Sequence, residues 1–246
     1  MSIYTIWLRE IKLFFRAKSR VAGSIAMPVF WLAFVGIGFK SAFNLRGLEI
    51  GYLEFMAPGI IGMSLLFSSM FSGLSVLWDR QFGFLKEILV APVSRTSIVL
   101  GKTLGGATIA VIQGILILLV SIAMGVKIRF EGILPSVLFM LLISSSFIGL
   151  GLAFASKMTD PHGFQAVYGF IMMPMFFLSG ALFPLDALPL WLKSLTYLNP
   201  LTYGVDALRG LLIGISHFSL WQDFLAMFIF LLTTTSLGSY LFRRIE

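Results

Sequence analysis

Residues 55–78 read FMAPGIIGMSLLFSSMFSGLSVLW, without one Asp, Glu, Lys, Arg or His. A helix needs roughly 20 mostly apolar residues to cross hydrocarbon, and a buried strand is far shorter. Apolar side chains fall all round this run rather than on one stripe, as lipid on every side requires. Five more segments of the same kind flank it, at about 21–43, 103–126, 132–156, 164–183 and 220–241. The first of them is too long for a cleaved signal peptide and lacks a clear small-residue cleavage site. Composition agrees. Of 246 residues, 58% are hydrophobic and 12% charged, with a mean hydropathy of +0.97. A soluble domain holds about 25% charged residues, so the soluble and disordered classes are excluded. The expected fold is an all-α integral membrane protein with six transmembrane helices.

The net charge of +7 does not point to nucleic acid, because Lys and Arg sit in short clusters between apolar runs. That pattern sets topology. Twelve lie on one side, in 1–20, in 79–102, at Lys157 and at Arg243 and Arg244. Six lie on the other, at Lys40, Arg46, Lys127, Arg129, Lys193 and Arg209. The positive-inside rule places both termini in the cytoplasm, as six crossings demand, and the expected location is the plasma membrane. Cysteine is absent and only His162 and His217 are present, which excludes thiolate chemistry and makes a metal site in this chain unexpected.

Three stretches outside the spans carry the functional signal. Residues 1–20 are expected to form an interfacial amphipathic helix, with Ile3, Trp7, Ile11 and Phe14 on one face and Arg9, Lys12, Arg16 and Arg20 on another. The connection 79–102 is longer than a turn needs. In it Phe82, Leu85 and Leu89 share a helical face, and Arg80, Lys86 and Glu87 lie elsewhere. Pro92 ends that helix and Ser94 can cap the next one. A short helix of this mixed character suits docking to another protein. On the other side, 184–219 is too apolar for a free loop but is broken by Pro184, Pro189 and Pro200. Asn199 can cap a helix with Pro200 in its first turn. Asp206 and Arg209 lie one turn apart and are expected to pair. A re-entrant helical hairpin is the expected structure.

The runs GFLKEILVAPVSR (83–95) with LGK (100–102), and NPLTYGVDALR (199–209), resemble the signatures of type-2 ATP-binding-cassette (ABC) exporter permeases. The order of segments over essentially the whole chain is similar too. Residues 21–246 would then form the six-span transmembrane domain of that family. The resemblance implies a coupling helix carrying Arg80, Phe82, Gly83, Leu85, Lys86, Glu87, Leu89 and Pro92, and an outer hairpin carrying Asn199, Pro200, Tyr203, Asp206 and Arg209. Many family members hold a carboxylate where this chain has Lys86. Glu87 follows immediately, so either residue can meet the partner. The implied partners are a separate ATP-binding subunit, which would hold ATP and magnesium, and a second permease copy, most simply an identical one. The implied cargo is an amphipathic drug, lipid or lipid-linked molecule.

Other motifs carry less. Gly101-Lys102-Thr103 mimics the end of a P-loop, but Thr96 occupies the position of its first glycine and no strand precedes it. This chain is therefore not expected to be an enzyme, and no cofactor is expected in it. The serines of the spans lack a nearby base for hydrolase chemistry. Ser68, Ser72, Ser145 and Phe176 are candidates for a translocation path lined by hydroxyls and aromatics. Small-residue spacings at Gly101–Gly105 and Gly210–Gly214 can bring helices together. The alternative from another class is a secondary transporter or channel without an ATPase. Against proton coupling, the middle of every expected span lacks an ionisable residue.

Overall fold

The computed structural model describes residues 3–38, 50–83, 94–158 and 160–242. Among the described residues all regular structure is helical. The helices are α1 (Ile3–Arg16), α2 (Lys18–Phe30), α3 (Tyr52–Gln81), α4 (Arg95–Ala123), α5 (Ile133–Lys157), α6 (Pro161–Phe177), α7 (Leu190–Leu198), α8 (Pro200–Leu212) and α9 (Leu220–Phe242). A π-type turn, Trp31–Gly36, continues α2. It follows Pro28, which has no N–H to return to the preceding turn, and such local widening is a common relief of a disturbed ladder.

Five helical stretches are long and apolar enough to cross a membrane: Lys18–Gly36, Tyr52–Gln81, Thr96–Ala123, Phe130–Lys157 and Leu220–Phe242. They coincide with five of the six expected spans. The remaining one, expected over 164–183, is a 17-residue helix that stops at Phe177. Pro174 lies in its last turn, and Gly180 (φ 70°) turns the chain back toward α3. There Tyr52 Oη donates to the Leu182 carbonyl at 3.3 Å. The amphipathic helix also ends earlier than residue 20. The chain breaks at Ala17, and Lys18, Ser19 and Arg20 belong to the first crossing helix.

The α3 helix is the centre of the bundle, packing on α4, α5, α6 and α8, while α9 lies along α5. Glycines set the closest crossings. At Gly73 of α3 a Cβ would collide with the backbone of Gly151 in α5, and at Gly149 of α5 it would meet the backbone of Thr234 and Thr235 in α9 at 3.0 Å. The spacing Gly101–Gly105 seats α1: Cβ atoms there would fall 2.7 Å from Ile6 and Glu10. Gly210–Gly214 has a different role, because Gly214 lies past the end of α8 with φ 90° and packs under Arg129.

Gly73→Val is accordingly expected to lower stability by about 1–3 kcal/mol or more, because the obstacle is backbone that cannot rotate away. Gly169 of α6 has nothing within 4 Å of its missing Cβ, so Gly169→Ala should match or exceed the parent. Thermal unfolding in detergent compares them, and equal midpoints for Gly73→Val and the parent would contradict the crossing.

Candidate functional site

Polar groups gather at the two ends of α3. At its C-terminal end, Asp79 accepts from Lys102 Nζ of α4 at 2.6 Å and from Arg9 of α1 at 2.8 Å. Lys102 Nζ also donates to Glu10 at 3.2 Å and to Ser75 Oγ at 3.1 Å, and Arg9 reaches Glu10 at 3.2 Å. The Lys102 side chain is 1% exposed. Burial works against the Arg9 charge, but the hydrogen bond and charge of Asp79, with Glu10, outweigh it and hold the guanidinium above its usual value. Two cations and two carboxylates thus close a neutral cluster that joins three helices. The P-loop mimic is ordinary helix in α4, and Lys102 belongs to this cluster.

Glu10 explains why the buried face of α1 differs from the one expected. Ile6, Glu10 and Phe14 are buried, while Ile3, Trp7 and Ile11 are half-buried. Trp7 is anchored instead by its indole N–H, which donates to Thr108 Oγ1 of α4 at 3.1 Å.

Just beyond Asp79, Arg80 is half-buried and Phe82 is 67% exposed, its ring stacked on Trp78. Gly83 takes a left-handed φ of 80° and ends α3. The other coupling candidates, Leu85, Lys86, Glu87, Leu89 and Pro92, lie outside the described residues. The chain re-enters at Ser94, whose hydroxyl accepts from the Ser97 N–H at 3.1 Å, the cap that its position suggested.

At the N-terminal end of α3 the NPLTYGVDALR segment does a different job from the one its charges suggested. Asn199 caps α8, accepting from the Leu201 N–H at 3.1 Å, with Pro200 in the first turn. Its Nδ2 donates to the Met175 carbonyl at 2.6 Å, and Thr202 Oγ1 donates to the Leu178 carbonyl at 3.4 Å. Arg209 donates to the carbonyls of Phe55 and Gly180 at 3.2 and 2.8 Å, its guanidinium 3.9 Å from the centre of the Phe55 ring. Asp206 accepts from the backbone N–H groups of His217 and Phe218 at 2.8–3.0 Å. The expected Asp206–Arg209 ion pair is therefore not formed: each side chain is taken by backbone from elsewhere. The segment satisfies the open carbonyls that follow the short α6, groups with no partner in their own helix. Tyr203 Oη donates to the Tyr197 carbonyl at 2.9 Å. Nearby, Lys193 hydrogen-bonds Asp186 at 2.9 Å, which holds that carboxyl below the usual carboxylate range.

Of the path candidates, Ser68 and Phe176 line a cavity of about 310 Å³ between α2, α3 and α6, and Ser72 lines a neighbouring one of about 280 Å³. Ser145, half-buried in α5, faces neither. Sequence reasoning missed Asp79, Glu10 and Gln113. Gln113 donates from α4 to Ser24 Oγ of α2 at 2.8 Å and lines the larger cavity.

The ABC-2 type transporter family model matches residues 1–213, and the chain belongs to that family. It is similar to the transport permease ycf38 of Cyanophora paradoxa, 33% identical over 206 residues that cover 81% of this chain and 71% of ycf38. It is also similar to YbhR of Escherichia coli K12, named as a multidrug ABC transporter permease, at 30% over 82% of this chain and 55% of YbhR. The inner membrane transport permease YadH of the same strain is 26% identical over 94% of this chain and 90% of YadH. The protein is a multi-pass membrane protein and a transport permease.

Proposed function

We propose that this chain is the membrane-spanning subunit of an ATP-driven exporter. It carries an amphipathic drug, lipid or lipid-linked molecule out of the cytoplasm or inner leaflet, and a separate nucleotide-binding subunit holds ATP and magnesium. The chain crosses the plasma membrane six times with both termini in the cytoplasm, the 17-residue α6, at the short end of the spanning range, making the fifth crossing. Segments α7 and α8 dip into the outer leaflet as the re-entrant hairpin. Six helices line one side of a path, so a second copy completes it.

The observation that carries this reading is the buried cluster of Arg9, Glu10, Asp79 and Lys102. It ties both ends of the 84–93 connection to α1, so a partner pressing on that connection acts on three helices together. The multidrug name of YbhR supports the class of cargo. Because the chain has no cysteine, single cysteines report the orientation. Lys127→Cys should react with a membrane-impermeant thiol reagent on intact cells, and Ser94→Cys only after the membrane is opened. Labelling of Ser94→Cys from outside would overturn the orientation and the docking reading together.

One observation favours the second reading, a secondary transporter. Asp223, in the first turn of α9, is 0% exposed, and neither carboxylate oxygen has a hydrogen-bond partner among the described residues. Buried ionisable groups in crossing helices mark proton paths in many carriers. Transport by the chain alone in vesicles, driven by a pH gradient without ATP, would decide for that reading.

A further inference from the structure

The two cavities adjoin, and Phe14, Arg20, Ser68 and Phe71 belong to the walls of both. The larger is mostly apolar, with Met63, Phe67, Trp31 and Phe176 in its wall; Ser64 also belongs to that wall, its hydroxyl buried and without a hydrogen-bond partner among the described residues. Its volume of about 310 Å³ is at the lower end of the ~300–1,000 Å³ typical of small-molecule pockets. The smaller holds the charged cluster of Arg9, Glu10 and Asp79. Arg20 therefore stands where an apolar chamber meets a polar one.

Its partners set Arg20 apart. Arg9 and Lys102 are both ion-paired, and together they balance Glu10 and Asp79. Among the described residues the Arg20 guanidinium makes neither an ion pair nor a hydrogen bond; it rests on ring faces, 4.4 Å from the centre of Phe71 and 5.8 Å from that of Phe14. Contact through an aromatic face orients a guanidinium while leaving its N–H donors unspent. Five donors in a planar fork match a carboxylate or a phosphate. The positive surplus at the passage is thus a single, oriented group with an apolar chamber on one side of it.

We propose that the paired cavities bind an amphiphile with an anionic head, carboxylate or phosphate, the head on Arg20 and the apolar body between α2, α3 and α6. This narrows the cargo of the export reading and rests on that reading for the ligand's fate, though not for its binding. A cationic amphiphile of the same length is disfavoured, because it would set its charge against Arg20.

Trp31 in the chamber wall supplies the readout. The full chain, in nanodiscs of neutral phosphatidylcholine, is titrated with an alkyl phosphate brominated in its tail and with the matching alkyl trimethylammonium. A Trp31→Phe variant isolates the contribution of Trp31 from the other four tryptophans. The phosphate should quench Trp31 saturably, at least tenfold more tightly than the ammonium. Arg20→Gln should remove that preference and Arg20→Lys should retain most of it, which separates loss of charge from loss of fold. Tail-brominated phosphatidylglycerol is the third probe: saturable quenching by it assigns the ligand to the bilayer lipids, and quenching by the single-chain phosphate alone assigns it to lipophilic solutes. Equal affinity for both heads, or an undiminished preference in Arg20→Gln, would overturn the proposal. No ATPase or nucleotide is present in the assay, so this failure leaves the export reading standing, and failure of the topology test leaves this result standing.

Discussion

Asp79→Asn is expected to lower the unfolding free energy of the detergent-solubilised chain by about 3–5 kcal/mol, the usual cost of removing one partner from a buried ion cluster. The change leaves Lys102, 1% exposed, and Arg9 to share only Glu10. The cluster then carries a net positive charge away from water. Neutralising both sides is expected to cost less: in Asp79→Asn, Lys102→Met, the 3.2 Å Arg9–Glu10 pair remains balanced. The double variant should be more stable than Asp79→Asn alone, a coupling that thermal or denaturant unfolding reads directly. A loss below about 1 kcal/mol for Asp79→Asn would mean that the cluster is hydrated in place and holds nothing together.

The second large effect is on coupling. In the variant Phe82→Ala, Glu87→Ala, transport and recovery of a nucleotide-binding subunit with the permease should fall more than tenfold. Loss of a central apolar anchor at an interface typically costs ~2 kcal/mol or more. Membrane insertion and unfolding temperature should stay near those of the parent, because Phe82 is 67% exposed, its ring stacked on Trp78. That contrast separates an interface residue from a core one. Undiminished transport and partner recovery would refute the docking role.

Much of the fold was legible along the chain. Hydropathy locates the five helices long and apolar enough to cross a membrane, three of them within three residues at each end, and the caps at Ser94 and Asn199 form where side-chain chemistry places them. Local rules failed where a distant group decided. Asp79 and Lys102 each lie one residue outside the spans read as 55–78 and 103–126, because a charge is what ends a hydropathy window. Their pairing depends on the faces that α3 and α4 present to each other, which packing determines. The spacing of Asp206 and Arg209 permits a pair, but amides at 217–218 and carbonyls at 55 and 180 outcompete it. Those partners are eleven or more residues away. The shortened α6 has the same origin: its missing turn is replaced by side chains from α8. Glu10 on the buried face of α1 contradicts any amphipathic rule until Lys102 is seen beneath it.

The α3 helix runs unbroken from Tyr52 to Gln81, with Arg209 bonded near its start at Phe55 and Asp79 fastened near its end. At 1.5 Å per residue these two attachments are about 36 Å apart. A tilt of about 5° around one of them swings the other by about 3 Å, the diameter of a water molecule. Such a displacement is comparable to the contact distances that hold the outer clasp of carbonyls shut. In the exporter proposed above, motion begun at the 84–93 connection would reach the opposite membrane face as mechanical travel along one stiff element, without a relay of side-chain rearrangements between the two.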